Sequence, residues 1–326
     1  MEAIVDKGVA SLLHLMRRRQ RYRSSKVSNA ETASGVAVSQ REAQFSDFEA
    51  VAELKERGGL RKDFLENWYR LWRDNPAIAK AKSPLSMGHV LEAKGRIVGY
   101  NGSVPLLYHH GDRTLVAATS TGLVVEPPFR IHSMDLVGAF WRQKNFDLLM
   151  DSTAIESVGK MSRLFRAEAL PQCDYDTVLF FVLHSRHFAR AVVKKLGVRE
   201  GMSRLATWFG SLSLRMESTI QGRGPGSLPR KLHVTKIRVH QIGDEFEDLW
   251  RRKLTEKPRL LADRSAALLR WHFTHPGNDE KKTVLRCHLH GYLAGYAIVQ
   301  YTMDRHTGLH RGRLVDANPR RGPRRC

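Results

Sequence analysis

The sequence predicts an α+β fold in which helices flank a mixed, mostly antiparallel sheet, followed by a second, partial unit of the same kind. Three observations support this prediction. Two helical patterns precede three strand patterns that tight turns separate, which is typical of an antiparallel meander. Helices and strands alternate after the meander, the order expected of an α+β domain. Several markers then recur in the same order, at offsets of 196 to 200 residues.

Hydrophobic spacing and turn residues define the elements of the first unit. Phe48, Val51 and Leu54 recur at helical spacing after Asp47, a candidate helix cap. Further helices are predicted over 64–73, 155–166 and 186–196, and another opens within 124–136. Strands are predicted over 36–44, 88–93, 96–108, 114–125, 146–153 and 177–183.

The stretch 124–136 reads as a strand, a sharp turn and the opening of a helix. Pro127 and Pro128 cannot donate to a strand ladder, so the strand ends or becomes an edge there. Val137 and Phe140 then follow at helical spacing. A strand that feeds a helix start is suited to holding an anion, because free backbone N–H groups and the helix dipole point the same way.

Val125-x-Pro127-x-x-Arg130 resembles the acyl-CoA-binding signature of the GNAT acyltransferase superfamily, V-x-P-x-x-R/Q-x-x-G-x-G/A. The bland alternative is any strand–turn–helix of an α/β domain. The resemblance implies acetyl-CoA or another acyl-CoA as cofactor, with Arg130 as an outer cation. It implies that backbone amides of the turn hold the pyrophosphate, namely those of Ile131, His132, Ser133, Met134 and Asp135.

Asp135 departs from this signature, because Ser133 and Asp135 stand where the family has two small residues. An ionised carboxylate near a doubly charged pyrophosphate is unfavourable. The resemblance also implies that a backbone N–H of Val124 or Val125 stabilises the oxyanion that forms when an amine attacks the thioester.

Two carboxylates are candidate general bases for that attack. Glu126 lies beside the signature, and Asp151 ends the strand that follows. Glu126 could equally be a solvated loop residue, and Asp151 is better explained as a helix cap. Family members commonly use a tyrosine as the acid on the next helix, but residues 154–170 contain none.

The resemblance therefore implies an acyl-CoA-dependent N-acyltransferase that acts on a small-molecule amine or an amino sugar. The alternative is a catalytically inactive GNAT-like binding module for an anionic partner, which Asp135 and the missing tyrosine favour.

Recurring markers predict tandem GNAT-like units, the second of them incomplete. Trp72 and Pro76 have counterparts in Trp271 and Pro276, and the G-x-Φ-Φ-G-Y pattern that starts at Gly95 recurs later in the chain. We expect a basic N-terminal segment over 1–36, a GNAT-like domain over 37–216, a linker over 217–229 and a partial second domain with a basic tail over 230–326. The second unit is either a partial sheet that packs on the first or a truncated copy.

The formal net charge of +21 is concentrated at the two ends of the chain. Residues 1–26 carry a net charge of +5 and residues 305–326 carry +6. Such ends can bind anionic polymers or lipid weakly and non-specifically, but solvated tails are the commoner case. No apolar run is long enough to span a bilayer. Three cysteines are too few for a disulfide framework, which favours a reducing cytoplasm. His288 and His290 have zinc-ligand spacing on a strand, but no third ligand is evident, so no metal site is predicted.

Overall fold

A computed structural model describes residues 36–170, 182–195, 208, 232–274 and 281–319. Its strands are β1 (Val38–Glu42), β2 (Gly88–Ala93), β3 (Arg96–His110), β4 (Arg113–Val125), β5 (Leu148–Met150), β6 (Leu232–Ile237), β7 (Leu260–Ala262), β8 (Lys281–Leu289), β9 (Tyr292–Met303) and β10 (His310–Pro319). Its α-helices are α1 (Phe48–Arg57), α2 (Leu65–Trp72), α3 (Ser133–Trp141), α4 (Glu156–Leu164), α5 (Ser185–Lys195), α6 (Asp244–Thr255) and α7 (Ala266–Phe273).

The first sheet has the strand order β1-β2-β3-β4-β5, and its first four strands form an antiparallel meander. β4 and β5 run parallel. The predicted α+β class, with a mostly antiparallel sheet flanked by helices, is therefore confirmed. The meander forms because Lys94, Gly95 and Gly111 all adopt positive φ, the backbone that tight hairpin turns require.

Aromatic side chains from α2 and β3 fill the core between the first sheet and its helices. Trp68, Trp72 and Tyr100 are buried together with Val51 and Leu54 of α1. The Trp72 indole N–H donates to the Ser103 carbonyl oxygen at 2.8 Å, so its polar atom is satisfied inside the core.

A second sheet has the order β10-β9-β8-β6 and is entirely antiparallel. Two helices, α6 and α7, separate its first strand from the rest, as α1 and α2 do in the first sheet. Its core packs Phe246 of α6 and Leu269 of α7 against Val284 and Ile298 of the sheet. β8 ends before His290, which enters the following turn with φ 52°, so the prediction that His288 and His290 both lie on a strand is wrong.

The two sheets are joined by β7, which pairs with the end of β3. His109 of β3 lies 2.8 Å from an Asp263 carboxylate oxygen, and its ring packs edge-on against Trp250 of α6. Leu268 and Trp271 of α7 pack against buried side chains of the first unit. Side chains of the second unit thus pack directly into a hydrophobic core of the first unit.

Some predicted features lie outside the described residues. These are the basic N-terminal segment up to residue 35, residues 320–326 of the basic C-terminal end, the linker over 217–229 and most of the strand predicted over 177–183. The earlier part of the basic C-terminal end is described, and His310–Pro319 form β10. The strand predicted over 146–153 is shorter, and only Leu148–Met150 pair with a neighbour. None of the helices in the described ranges has the length and apolar character needed to cross a membrane.

Candidate active site

β5 covers only part of the outer edge of β4. β5 pairs only with Ala117, Ala118 and Thr119 of β4, whereas β4 stays paired with β3 to its end at Val125. Within the described residues, the outer edge of β4 over 120–125 therefore has no strand partner. A strand edge of this kind presents free N–H and C=O groups to whatever enters the opening.

The open edge contains a β-bulge at Gly122. The register shifts there, so that Tyr100 pairs with Val124 but Gly102 pairs with Thr121, which places one extra residue in β4. Gly122 has φ 68°, and a Cβ atom there would lie 2.8 Å from the Lys55 side chain. The positive φ favours glycine at this position, and the missing side chain leaves room for Lys55.

Strand alternation distinguishes the two predicted oxyanion donors. The Glu126 N–H donates to the Val98 carbonyl oxygen of β3 at 2.9 Å. Because N–H groups alternate in direction along a strand, Val124 also faces β3, and the Val125 N–H points to the open edge. The geometry therefore favours Val125 over Val124 as a donor into the cleft.

Glu126 is fixed by two arginines. Its carboxylate accepts from Arg57 at 3.0 Å and from both terminal nitrogens of Arg96 at 3.0 and 2.8 Å. Only 14% of the Glu126 side chain is exposed. These bonds occupy the oxygen atoms that a general base would use. A second carboxylate, that of Glu53, lies 3.5 Å from Arg57, so two carboxylates balance the two guanidinium groups.

The turn after β4 uses part of its backbone hydrogen-bonding capacity internally. Pro127–His132 form a 3-10 helix that continues directly into α3 at Ser133. Proline favours this start because its φ is already helical and its missing N–H has no role at the first position. The Ser133 N–H donates to the Arg130 carbonyl oxygen, so this amide is already used. The predicted pyrophosphate-binding role of the turn amides stays a prediction.

Arg130 and Ile131 lie on the exposed side of this turn, and Ile131 is 83% exposed. Asp135 pairs with His132, whose Nδ1 atom lies 3.0 Å from a carboxylate oxygen. Within the described residues, the hydrogen bond found for the Asp135 side chain is thus to a side chain and not to a backbone amide of α3. Met134 is half-buried in the same first turn of α3.

Asp151 follows β5 and holds a local turn. Its carboxylate accepts from the Thr153 N–H at 3.0 Å, two residues further on. α4 begins later, at Glu156, with Ile155 as its N-terminal cap. The side chain thus stabilises the loop before the helix rather than the helix itself.

Sequence reasoning missed a polar pocket beside the β4 bulge. The cavity has a volume of about 350 Å³, and its lining includes Lys55, Asp63, Asn67, Arg70 and Gly122. Lys55 Nζ lies 2.6 Å from an Asp63 oxygen, and the Asn67 amide donates to the other Asp63 oxygen at 3.3 Å.

One sequence signal could have revealed part of this pocket. Asp63, Asn67 and Arg70 are spaced by four and three residues at and within the predicted second helix, which places them on one face. Lys55 and Gly122 come from distant parts of the chain, and their local patterns did not indicate a pocket.

No protein-family model matches the sequence, and no curated protein matches it either. Solved structures similar to this chain include a GCN5-related N-acetyltransferase from Anabaena variabilis, at 11% identity and a TM-score of 0.44, over 87% of this chain and 59% of that one. Saccharomyces cerevisiae N-myristoyltransferase with bound myristoyl-CoA matches at 9% identity and a TM-score of 0.43, over 90% of this chain and 70% of that one. An aminoglycoside N-acetyltransferase in complex with CoA matches at 17% identity and a TM-score of 0.33, over 45% of this chain and 95% of that one.

These similar structures are GCN5-related N-acetyltransferases and N-myristoyltransferases of the GNAT superfamily, which the strand–turn–helix motif also resembles. The chain spans 59% and 56% of the length of two of the N-acetyltransferases. Because the TM-scores are below 0.5 and the identities are low, the likeness carries no information about substrate. The chemistry of the site must follow from this chain's own residues.

Proposed function

We propose that this protein is an acyl-CoA-dependent N-acyltransferase that transfers an acyl group to a small amine or an amino sugar. The observation that carries the proposal is the open edge of β4 over 120–125, which leads directly into the turn and α3. An acyl-CoA combines an extended arm containing two amides with an anionic pyrophosphate. A free strand edge suits the arm, and a helix start beside arginines suits the anion.

The residues present fit such a cofactor where the open edge meets the turn. The Val125 N–H faces the edge along which the arm would lie, and the exposed Arg130 supplies a cation in the turn that follows. Asp135 opposes an anion there, and its carboxylate already engages the Nδ1 atom of His132. When bound, acyl-CoA supplies the thioester carbonyl that the amine attacks.

The chain's own residues position the acceptor and its proton. The pocket beside Gly122 adjoins the open edge, so an amine held there would approach the edge from the α1–α2 side. Attack forms a C–N bond, breaks the C–S bond and releases one amine proton. We retain Glu126 and Asp151 as candidate bases, although both carboxylates already accept hydrogen bonds.

A second candidate function is a catalytically inactive binding module for an anionic partner. It is favoured by the arginine-bound Glu126, by the closed turn after β4 and by Asp135 in the first turn of α3. In this case the basic surface around the turn would bind the partner without a chemical step.

Calorimetric titration with acetyl-CoA, then with longer acyl-CoAs, tests the enzyme proposal. We expect one of them to bind, and we expect Arg130→Ala to weaken that binding about fivefold, since a single partly solvated charge contributes about 1 kcal/mol. Arg73→Ala is the matched control, because Arg73 is exposed and pairs with Asp74 away from the turn. If no acyl-CoA binds while a polyanion such as heparin does, the binding-module function replaces the enzyme.

We further propose that the second sheet is a partial copy of the first, located with it in a reducing cytoplasm. Both sheets share the strand order of a four-stranded antiparallel meander with two helices after the first strand. This shared order supports the duplication that the sequence markers predict. Limited proteolysis should cut within 217–230, and a resistant core running through residue 225 would count against the predicted boundary.

A further inference from the structure

The pocket beside the β4 bulge is rich in positive charge. Three cationic side chains line it, those of Lys55, Arg61 and Arg70, and Asp63 is the one carboxylate among its lining residues. Lys55 is buried and already pairs with Asp63 at 2.6 Å. Arg70 is thus a cation of the lining that stands outside this ion pair.

Arg70 is bound by neutral oxygen atoms. Its Nε and Nη2 atoms donate to the Asn67 side-chain oxygen at 3.1 and 3.0 Å, and Nη1 donates to the Trp271 carbonyl oxygen at 2.9 Å. Across the described ranges, no acidic side chain forms an ion pair with it. Burial lowers the pKa of Arg70, as expected for a cation that lacks a counter-charge.

The hydrogen-bonding capacity of Arg70 is only partly used. A guanidinium group has five N–H donors, and the three bonds above leave one donor on each terminal nitrogen. Two such donors form the fork that binds a carboxylate through both of its oxygens. Arg70 is thus a half-buried cation of the pocket lining with two N–H donors still available to an anion.

We propose that the acceptor of this protein is an amine that also carries a carboxylate, such as an amino acid, and that Arg70 binds this carboxylate in the pocket beside the β4 bulge. The inference rests on the proposed N-acyltransferase function and specifies its acceptor. The cavity of about 350 Å³ accommodates a molecule of this size. In the reaction the amine nitrogen forms the amide bond, the thiol leaves with a proton, and the carboxylate is unchanged.

Trp271 of the second unit is the positioning residue for Arg70. Its indole N–H donates to the Arg70 carbonyl oxygen at 2.9 Å, its own carbonyl accepts from Arg70, and its ring lies 5.0 Å from the guanidinium carbon. These contacts hold the guanidinium from the side away from Asn67. The second unit would therefore act on acceptor binding without contacting the acceptor.

The test compares matched acceptors with the full chain. The twenty amino acids and their α-carboxamides are assayed for thiol release from the acyl-CoA that binds, and for binding by calorimetry in the presence of CoA. We expect at least one amino acid to exceed its carboxamide by about tenfold in kcat/KM, as a charge-assisted hydrogen bond allows. Phosphoethanolamine serves as the phosphate-bearing probe, and preference for it would overturn the carboxylate assignment.

Variants of Arg70 separate recognition from structural support. Arg70→Gln should reduce kcat/KM about tenfold for the amino acid and leave the carboxamide within about twofold. Arg70→Lys keeps the charge and loses the fork, so it should give a smaller loss confined to the amino acid, and it serves if Arg70→Gln does not fold. Arg73→Gln, on the same helix end but outside the pocket, should change neither.

The outcomes distinguish this inference from the function on which it rests. Acyl-CoA binding without any preference for amino acids over carboxamides, in turnover or calorimetry, overturns the inference alone. Amino-acid binding that depends on Arg70, with no acyl-CoA bound, overturns the acyltransferase instead. Equal losses for both acceptors in Arg70→Gln, accompanied by a lower melting temperature, would show that Arg70 is only structural.

Discussion

The loss of stability on breaking the ion pair between Lys55 and Asp63 should depend on which of the two side chains is replaced. The nitrogen and oxygen atoms are 2.6 Å apart, and the side chains are 7% and 23% exposed respectively. Lys55 Nζ also lies 5.0 Å from the centre of the buried Tyr100 ring. Asp63→Asn therefore leaves a buried ammonium group without a counter-charge. Lys55→Met leaves a carboxylate that water still reaches.

The expected cost differs accordingly. Leaving one charge of a buried pair unpaired costs about 3–5 kcal/mol. We expect about 3 kcal/mol for Asp63→Asn, at the lower end because its amide can still accept from Lys55. We expect about 1–2 kcal/mol for Lys55→Met, because Asp63 stays partly solvated and methionine fills much of the space of the Lys55 side chain. The double variant should be less destabilised than the sum of the two.

Urea unfolding of the wild type, both single variants and the double variant measures these costs as changes in midpoint. Lys62→Met is the control, since its pair with Glu56 is exposed and should be worth at most about 1 kcal/mol. A larger loss for Lys55→Met than for Asp63→Asn would contradict the burial argument. Additive single effects would show that the two side chains do not stabilise one another.

Three further predictions concern other buried or charged groups. Tyr100→Phe should leave stability unchanged or raise it by about 1 kcal/mol in thermal unfolding, because the buried hydroxyl has no partner among the described residues. Tyr296→Phe should instead lower the melting temperature, because it loses a 2.9 Å hydrogen bond to the Asp316 carboxylate. Burial lowers the pKa of His89, so the unfolded chain takes up the proton first and stability should fall as the pH drops below about 6.5. His89→Gln should flatten that dependence in thermal unfolding between pH 5 and 7, and an unchanged slope would contradict it. Asp135→Asn should tighten acyl-CoA binding about fivefold by calorimetry, whereas weaker binding would mean that the carboxylate supports the site.

The meander could be predicted from sequence because its signals are local. The turns at Lys94-Gly95 and Gly111 require positive φ, which glycine adopts without steric cost. The strands between them alternate in a pattern that short-range reasoning can detect. The boundaries of β2 were predicted without error for the same reason, since a turn defines its C-terminal end.

The site was harder to predict because its contacts are distant in sequence. Glu126 meets Arg57 and Arg96, which precede it by 69 and 30 residues. Neither arginine carries a local sign of this role. The turn after β4 shows a different difficulty. The motif that it resembles directed attention to free amides, while two adjacent prolines in this chain favour a helical turn that uses the Ser133 amide.

The matched tryptophans show how a repeated unit can acquire a different role. Trp72 is buried in the core of its own unit, where its indole N–H donates to Ser103. Its proposed counterpart Trp271 instead faces the first unit and donates to Arg70. The tryptophan that fills the core in the first unit thus corresponds to one that contacts the neighbouring unit in the second. In the proposed function, this interface would support the acceptor pocket of the first unit. Trp271→Phe should then weaken amino-acid binding and leave acyl-CoA binding unchanged, a separation that calorimetry with each ligand can measure.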